Sequence, residues 1–251
     1  MDTTLYVGLS KQMILQRELD IAANNIANAD TTGFKVESLT SSEDPQTLPG
    51  GTGPNATANY VLDTGLARNF AQGALQQTGA PLDAAIDGDG FFQVSTAAGP
   101  RYTRDGRFTT DSQGKLITQA GDPVLDAAGG EITLNPQGGP PSIAADGTVS
   151  QAVPGSANGQ IVGKIGVVSF PSLAALSKEG GGLYSNSAST QPTPSTKSSI
   201  HQGMLESSNV QPVLQITDLI RISRAYDTLS NLMNNAADLS SRSVQRLGSV
   251  Q

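Results

Sequence analysis

The sequence predicts an α+β fold in which long N- and C-terminal helices form a coiled-coil-like pair around a central β-rich, barrel- or sandwich-like domain. Three observations predict it. Apolar residues recur at heptad spacing at both ends of the chain. Glycine lies almost wholly between residues 33 and 203. The middle alternates short apolar runs with Gly, Pro and Asp turns, the pattern of many short strands rather than of βαβ units.

The N-terminal helix comes first. Residues 1–29 contain no proline, and no glycine after Gly8. Leu5, Leu9, Gln12, Gln16, Leu19, Ala23 and Ile26 alternate spacings of four and three, a seam diluted by two glutamines. It ends at Asn28-Ala29-Asp30-Thr31-Thr32-Gly33-Phe34-Lys35, whose Asn, Asp and Gly are turn and cap residues. Such a helix of about 24 residues is about 36 Å long. Gly33 reads as a position with φ > 0 that redirects the chain, with Phe34 anchoring the turn in an apolar pocket. An ordinary helix-ending turn and a subunit contact are both compatible with these residues.

Residues 38–59 have no periodicity and read as a loop or linker; Asn55-Ala56-Thr57 within it is a chance glycosylation sequon. Tyr60, Leu62, Thr64, Leu66, Arg68 and Phe70 then alternate as an extended segment. Across residues 73–199, runs such as Ala84–Ile86, Phe91–Val94 and Gln160–Phe170 are separated by turn signals. In Asp87-Gly88-Asp89-Gly90 the acidic residues suggest a calcium or phosphate loop. No bidentate Glu follows at the required spacing and no GxxxxGK[ST] is present, so the segment reads as a tight hairpin turn with glycine at φ > 0. Phe91 and Phe92 then point to opposite faces of a strand, one into the core and the other under a neighbouring element or subunit.

From Asn209 to Gly248 helical spacing returns. Leu219, Ile222, Tyr226, Leu229, Met233, Ala236, Ser240, Ser243 and Leu247 alternate three and four, with Pro212 suited to the first turn and Gly248 to the end. The domains are therefore 1–36 (N-terminal helix and its turn), 37–81 (linker and extended segment), 82–200 (central β-rich domain) and 201–251 (C-terminal helix). Ordering about 60 helical residues costs roughly 1–2 kcal/mol each in backbone entropy. Burying a large apolar side chain returns only about 1.5–3 kcal/mol, and the seams hold few of them. Ile14, Leu15, Ile21, Ile216, Ile220, Leu232 and Leu239 add apolar surface off the seams. Helices with more than one apolar face need several neighbours, and identical copies can supply them.

Composition narrows the chemistry. The 251 residues contain no Cys, one His and no Trp, so disulfides, thiolate metal sites and His-based metal clusters are excluded. A net charge of -7 argues against nucleic-acid binding by phosphate neutralisation. No stretch reaches the ~18 apolar residues of a membrane span, and no basic-then-apolar signal opens the chain. His201, Asp218 and the many serines make no triad, since no G-x-S-x-G elbow is present. Arg101, Arg104, Arg107 and Lys115 lie near Asp83, Asp87 and Asp89, either as solvated strand faces or as complementary patches that set subunit register. No catalytic, cofactor-binding or metal residue is assigned.

Four blocks resemble the bacterial flagellar rod and hook protein family. They are Asn24-Asn25-Ile26-Ala27-Asn28 running into Thr31-Thr32-Gly33-Phe34-Lys35; Leu82-Asp83-Ala84-Ala85-Ile86-Asp87-Gly88-Asp89-Gly90-Phe91-Phe92; Tyr102-Thr103-Arg104-Asp105-Gly106 continuing to Gly121-Asp122-Pro123-Val124-Leu125; and Glu206-Ser207-Ser208-Asn209-Val210 with Arg224-Ala225-Tyr226-Asp227. Ser207 and Asp227 stand where the family usually has Gly and Glu. The chain lacks the long middle insertions of hook proteins, and its first seven residues resemble proximal-rod members more than distal ones.

The resemblance implies a non-enzymatic subunit of the proximal rod, a helical tube that crosses the periplasm and transmits motor torque. It implies partners among its own copies and neighbouring rod proteins, and the flagellar export apparatus during secretion without a cleaved signal. The assembly residues would be Leu5, Leu9, Leu19, Ile26, Asn28, Gly33 and Phe34 at one end and Leu219, Ile222, Tyr226, Leu229 and Met233 at the other. Asp87, Gly88, Gly90, Phe91 and Phe92 would be turn and core. A secreted β-rich binding module or adhesin on a coiled-coil stalk is the alternative, and a hydrolase using the Asp cluster a further one.

Overall fold

The computed structural model describes residues 2–47, 57–152, 159–187 and 191–248. The sequon at Asn55 lies outside the described residues, as do the side chains of Leu5, Ser240, Ser243 and Leu247. The chain divides into two compact units, one made of residues 1–29, 36–69 and 210–251, the other of residues 30–35 and 70–209.

The first unit holds helix α1 (Asp2–Ala27), strands β1 (Glu37–Thr47) and β2 (Thr57–Arg68), and the C-terminal helix, α2 (Pro212–Gly248). Strands β1 and β2 pair antiparallel as a long hairpin whose register shifts between Thr40 and Ser41. Arg68 is bonded to Glu37 across its base at 2.8 Å. The segment without periodicity at 38–59 therefore contributes a strand, because hairpin pairing is made by the backbone and does not require alternating side chains.

The two helices run antiparallel: Gly8 on α1 lies against Met233 on α2, and Asn25 bonds Gln215 at 2.9 Å. They do not form the predicted coiled-coil-like pair. On α1 the buried residues are Gly8, Ile14, Leu15, Ala22 and Asn25, and all but Ile14 stand one residue ahead of the predicted seam, while Leu9 is 47% exposed. Two causes account for the difference. α1 also packs on the hairpin, where Arg17 meets Asp63 at 2.8 Å, so its buried arc is set by two partners rather than one. It also approaches α2 closely at Gly8, against Met233, a position that a search for large apolar side chains passes over.

The second unit is rich in strands: β3 (Leu75–Gln77), β4 (Ala84–Asp87), β5 (Phe91–Thr96), β6 (Gly99–Thr103), β7 (Phe108–Thr110), β8 (Leu116–Thr118), β9 (Pro141–Ile143), β10 (Thr148–Gln151), β11 (Gln160–Lys164), β12 (Val167–Ser169), β13 (Leu176–Lys178), β14 (Leu183–Asn186), β15 (Thr193–Pro194), β16 (Ser199–Gln202) and β17 (Met204–Glu206). Its main sheet has the order β13-β14-β6-β5-β12-β15 and is open, with β13 and β15 at its ends. The remaining strands form a three-stranded sheet, β11-β10-β9, and small pairs β16-β4, β17-β3 and β7-β8. The architecture is thus two terminal helices flanking a strand-rich region built from several small sheets, not a closed barrel.

Strand β5 sits between two cores. Phe92 enters the larger one, with Ala84, Ile86, Val94, Phe108 and Leu116. Phe91, on the other face, enters a cluster with Tyr102, Val168, Leu176 and Tyr184, covered by Phe70 and Phe170. Phe91 lies 5.8 Å from Phe70 and 5.7 Å from Tyr184, both edge-on. In a chain only 4% aromatic, five of the eleven rings gather in this cluster, where each contributes a large buried area. Among the described residues no helix is long and apolar enough to cross a membrane.

Candidate functional site: helix faces and a buried ionic clasp

Of the predicted seam residues on α2, Ile222 is buried and Leu219, Tyr226, Leu229 and Met233 are half-buried, as are Gln215, Asp218, Ser223 and Ser230 off the seam. The rest of α2 is not simply polar. At about 100° per residue, Val213, Ile216 and Ile220 lie roughly opposite the seam, and Leu214, Leu232 and Leu239 share a third side; all six are exposed. On α1, Tyr6, Leu9 and Met13 make an exposed stripe on the side away from Leu15 and Ala22, whereas Leu19 and Ile26 are half-buried. An open groove of about 760 Å³ runs along Leu9, Met13, Leu62 and Tyr226. The helical unit therefore presents large apolar side chains on several faces, more than an isolated surface helix carries.

The α1 side is held in register by a buried amide. Asn25 Nδ2 donates to the Glu37 carbonyl at 2.8 Å and to Gln215 Oε1, while its Oδ1 accepts from the Glu37 N–H at 3.0 Å. Helix α1, the hairpin and α2 meet at this one side chain, which is 1% exposed. Three residues on, Asn28 is half-buried and donates to the Asn24 carbonyl at 2.8 Å, closing the helix.

In the β unit the turn after α1 docks onto a cluster of buried charges. Gly33 has φ 69°, and a Cβ there would stand 2.7 Å from the Arg104 carbonyl carbon; its N–H donates to the Glu206 carbonyl at 2.8 Å. Phe34 is buried, with the Lys178 ammonium 4.1 Å above its ring. Lys35 is 1% exposed, and its Nζ donates to Glu206 Oε1 at 2.5 Å and to the Ala71 carbonyl at 2.9 Å. Arg104 donates from one terminal nitrogen to Glu206 Oε2 at 3.1 Å and from the other to the Gly88 carbonyl at 2.9 Å. Its guanidinium lies 5.2 Å from the centre of the Phe91 ring, and its Nε has no hydrogen-bond partner among the described residues. Gly73 N–H completes the carboxylate's shell at 2.9 Å. Two cations thus share one buried carboxylate. Burial pushes the Lys35 ammonium below its ordinary value; the Glu206 carboxylate opposes that shift and Arg104 adds to it.

The Asp87–Gly90 segment is not a hairpin turn. β4 pairs with β16, whereas β5 pairs with β6 and β12, so the segment carries the chain from one sheet to another. Gly90, at φ 148°, passes so close to Val167 that a Cβ would lie 2.6 Å from its Cγ1. Gly88 supplies the carbonyl that Arg104 holds, and both phenylalanines beyond it are covered by this chain itself. The basic residues nearby do not form a patch: Arg101 pairs with Glu179, Arg104 with Glu206, Arg107 with Asp105 and Lys115 with Glu131. His201 in the β unit stands 3.5 Å from Asp87, and Asp218 in the helical unit bonds Arg221 at 3.0 Å.

The sequence places Lys35 and Glu206 only within family-like blocks and Arg104 in such a block and in the basic set beside Asp83, Asp87 and Asp89; it does not bring the three together. No local signal sets them apart: Arg104, for one, stands between Thr103 and Asp105 like any surface charge.

Comparison with known proteins decides the family. Residues 5–35 match the model described as flagella basal body rod protein, residues 85–151 the flagellar hook protein FlgE/F/G D1 domain, and residues 201–246 the flagellar basal body rod FlgEFG protein C-terminal model. The chain is 53% identical to the flagellar basal-body rod protein FlgF of Caulobacter vibrioides, over 100% of both chains. The chain belongs to the flagellar basal-body rod protein family. It is 38% identical to the FlgF of Mesorhizobium japonicum over 99% of both chains, and 34% identical to the FlgG of Bacillus subtilis over 94% of this chain and 96% of that one. As a member of that family it is a structural subunit of the flagellar basal-body rod, and membership implies assembly with other rod subunits. Nothing in these matches supports an adhesin on a stalk.

Proposed function

We propose that this subunit assembles through its two terminal helices into the proximal part of the rod, a tube that crosses the periplasm and passes motor torque outward. Copies of this chain and adjoining rod proteins would be its neighbours. The observation that carries the reading is the set of exposed apolar side chains on both helices: Tyr6, Leu9 and Met13 on α1, and the two outer sides of α2. A helix pair with apolar surface on several sides gains about 25 cal/mol for each Å² covered by a neighbour. Such contacts join unlike faces, and unlike faces propagate into helical assemblies rather than closed dimers. The similarity to FlgF relatives over full length supports placement in the proximal segment. On this reading the subunit reaches the periplasm through the flagellar export apparatus without a cleaved signal, and has no enzymatic role. Electron microscopy of basal bodies from a strain deleted for this chain tests it: growth halted at the proximal rod is expected, and complete hooks in that strain would contradict it.

A further inference from the structure

The chain passes between its two units after residues 29, 35, 69 and 209. On the β unit, the residues at these passages are bonded to one another. Lys35 Nζ and Asn209 Nδ2 both donate to the Ala71 carbonyl at 2.9 Å. The Asn209 N–H reaches the Phe34 carbonyl at 3.4 Å, and Gly33 N–H the Glu206 carbonyl at 2.8 Å. Glu206 draws in Lys35, Gly73 N–H and Arg104 together. Arg104 then reaches inward, to Gly88 and the Phe91 ring of the aromatic core.

We propose that Lys35, Glu206 and Arg104 form a joint that binds the connecting strands into one anchorage on the β unit, which makes them positioning residues for the rod's mechanical role. A buried carboxylate shared by two cations adds little net stability over well-packed apolar side chains. It does impose direction and partner choice on strands whose other ties here are backbone hydrogen bonds, the β3–β17 pairing and the Asn209 side chain. Force entering along any one connection is passed through Glu206 to the others and through Arg104 into the core. The anchorage stands on the geometry alone; the mechanical role rests on the rod reading above.

The test has two arms, both on the full chain. Hydrogen exchange of Lys35→Met, which leaves Arg104 and Gly73 on Glu206, is expected to speed the Gly33 and Asn209 amides at least tenfold while the core amides of Leu116 and Val124 stay unchanged. Unchanged Gly33 and Asn209 amides, or core amides accelerated by the same factor, would overturn the joint. If Lys35→Met does not fold, Glu206→Gln, of nearly identical shape, gives the same readout. In cells, the same variant is expected to build flagella in normal number but to lose rotation speed or break disproportionately as medium viscosity is raised. A loss that does not depend on load overturns the mechanical role alone. Normal flagella in a strain lacking the chain altogether would instead strike at the rod reading.

Discussion

Lys35 and Glu206 are 171 residues apart in the sequence and 2.5 Å apart in the β unit. The contact explains why the short stretch 30–35, which follows directly from α1, belongs structurally with residues 70–209. It also orders the consequences of removing each partner.

Glu206→Ala leaves two cations buried with no counter-charge and is expected to cost about 3–5 kcal/mol. Lys35→Met leaves Glu206 with Arg104 and the Gly73 amide, and should cost clearly less. Urea denaturation followed by the near-ultraviolet signal of the buried tyrosines Tyr102 and Tyr184 measures both. A larger loss for Lys35→Met than for Glu206→Ala would contradict the shared-carboxylate geometry.

The same lysine makes a prediction in pH. Its pKa lies below the ordinary 10.5 in the folded chain, first because of burial. Between that lowered value and 10.5 the unfolded chain binds more protons than the folded one, so this group's contribution to stability rises with pH. Tyr102, whose phenol is pushed above 10.0 by burial, acts in the opposite sense at the upper end. Subtracting the Lys35→Met variant removes the tyrosine's share. The urea midpoint of the wild type is expected to gain on that variant from pH 8 to 10; a flat or falling difference would contradict it.

Gly33 and Gly180 form a matched pair. Gly33→Ala must adopt φ 69° with its Cβ against the backbone of Arg104, and is expected to lose at least the roughly 1–3 kcal/mol of such strain. Gly180 has nothing within 4 Å of its would-be Cβ, so Gly180→Ala should be neutral or stabilising by up to about 1 kcal/mol. Thermal melts of the two variants decide it, and equal shifts would count against the close approach at Gly33.

Asn25→Ala removes three hydrogen bonds at the meeting of α1, α2 and the hairpin, and leaves the Glu37 N–H without that partner. The expected loss is about 1–3 kcal/mol. It should appear as faster exchange of amides in α1 and β1, with Leu116 and Val124 unaffected.

Much of this could be read from the residues, and the failures share a cause. The helix ends were legible because Pro212, Gly33 and the loss of glycine mark them locally. The α2 stripe was legible because its large side chains keep one register. The α1 stripe was not, because Gly8 and the polar Asn25 make contacts with α2 and the hairpin claims part of its surface. Strand β1 left no periodic trace in its side chains, since its pairing with β2 is made by backbone hydrogen bonds that need no alternation. Asp87–Gly90 has the composition of a hairpin turn, but which strands pair on either side depends on β12 and β16, far along the chain. The clasp was invisible for the same reason: Lys35, Arg104 and Glu206 are ordinary charged residues until the fold removes water from them.

The most direct test of assembly through the outer helix faces is the double variant Leu232→Glu/Leu239→Glu. Both side chains are more than half exposed, so the purified chain should keep its helix content and melting temperature. In cells, basal bodies isolated from this strain are predicted to lack the subunit and to stop short of a complete rod. Complete rods containing the doubly substituted chain at its normal level would contradict the account.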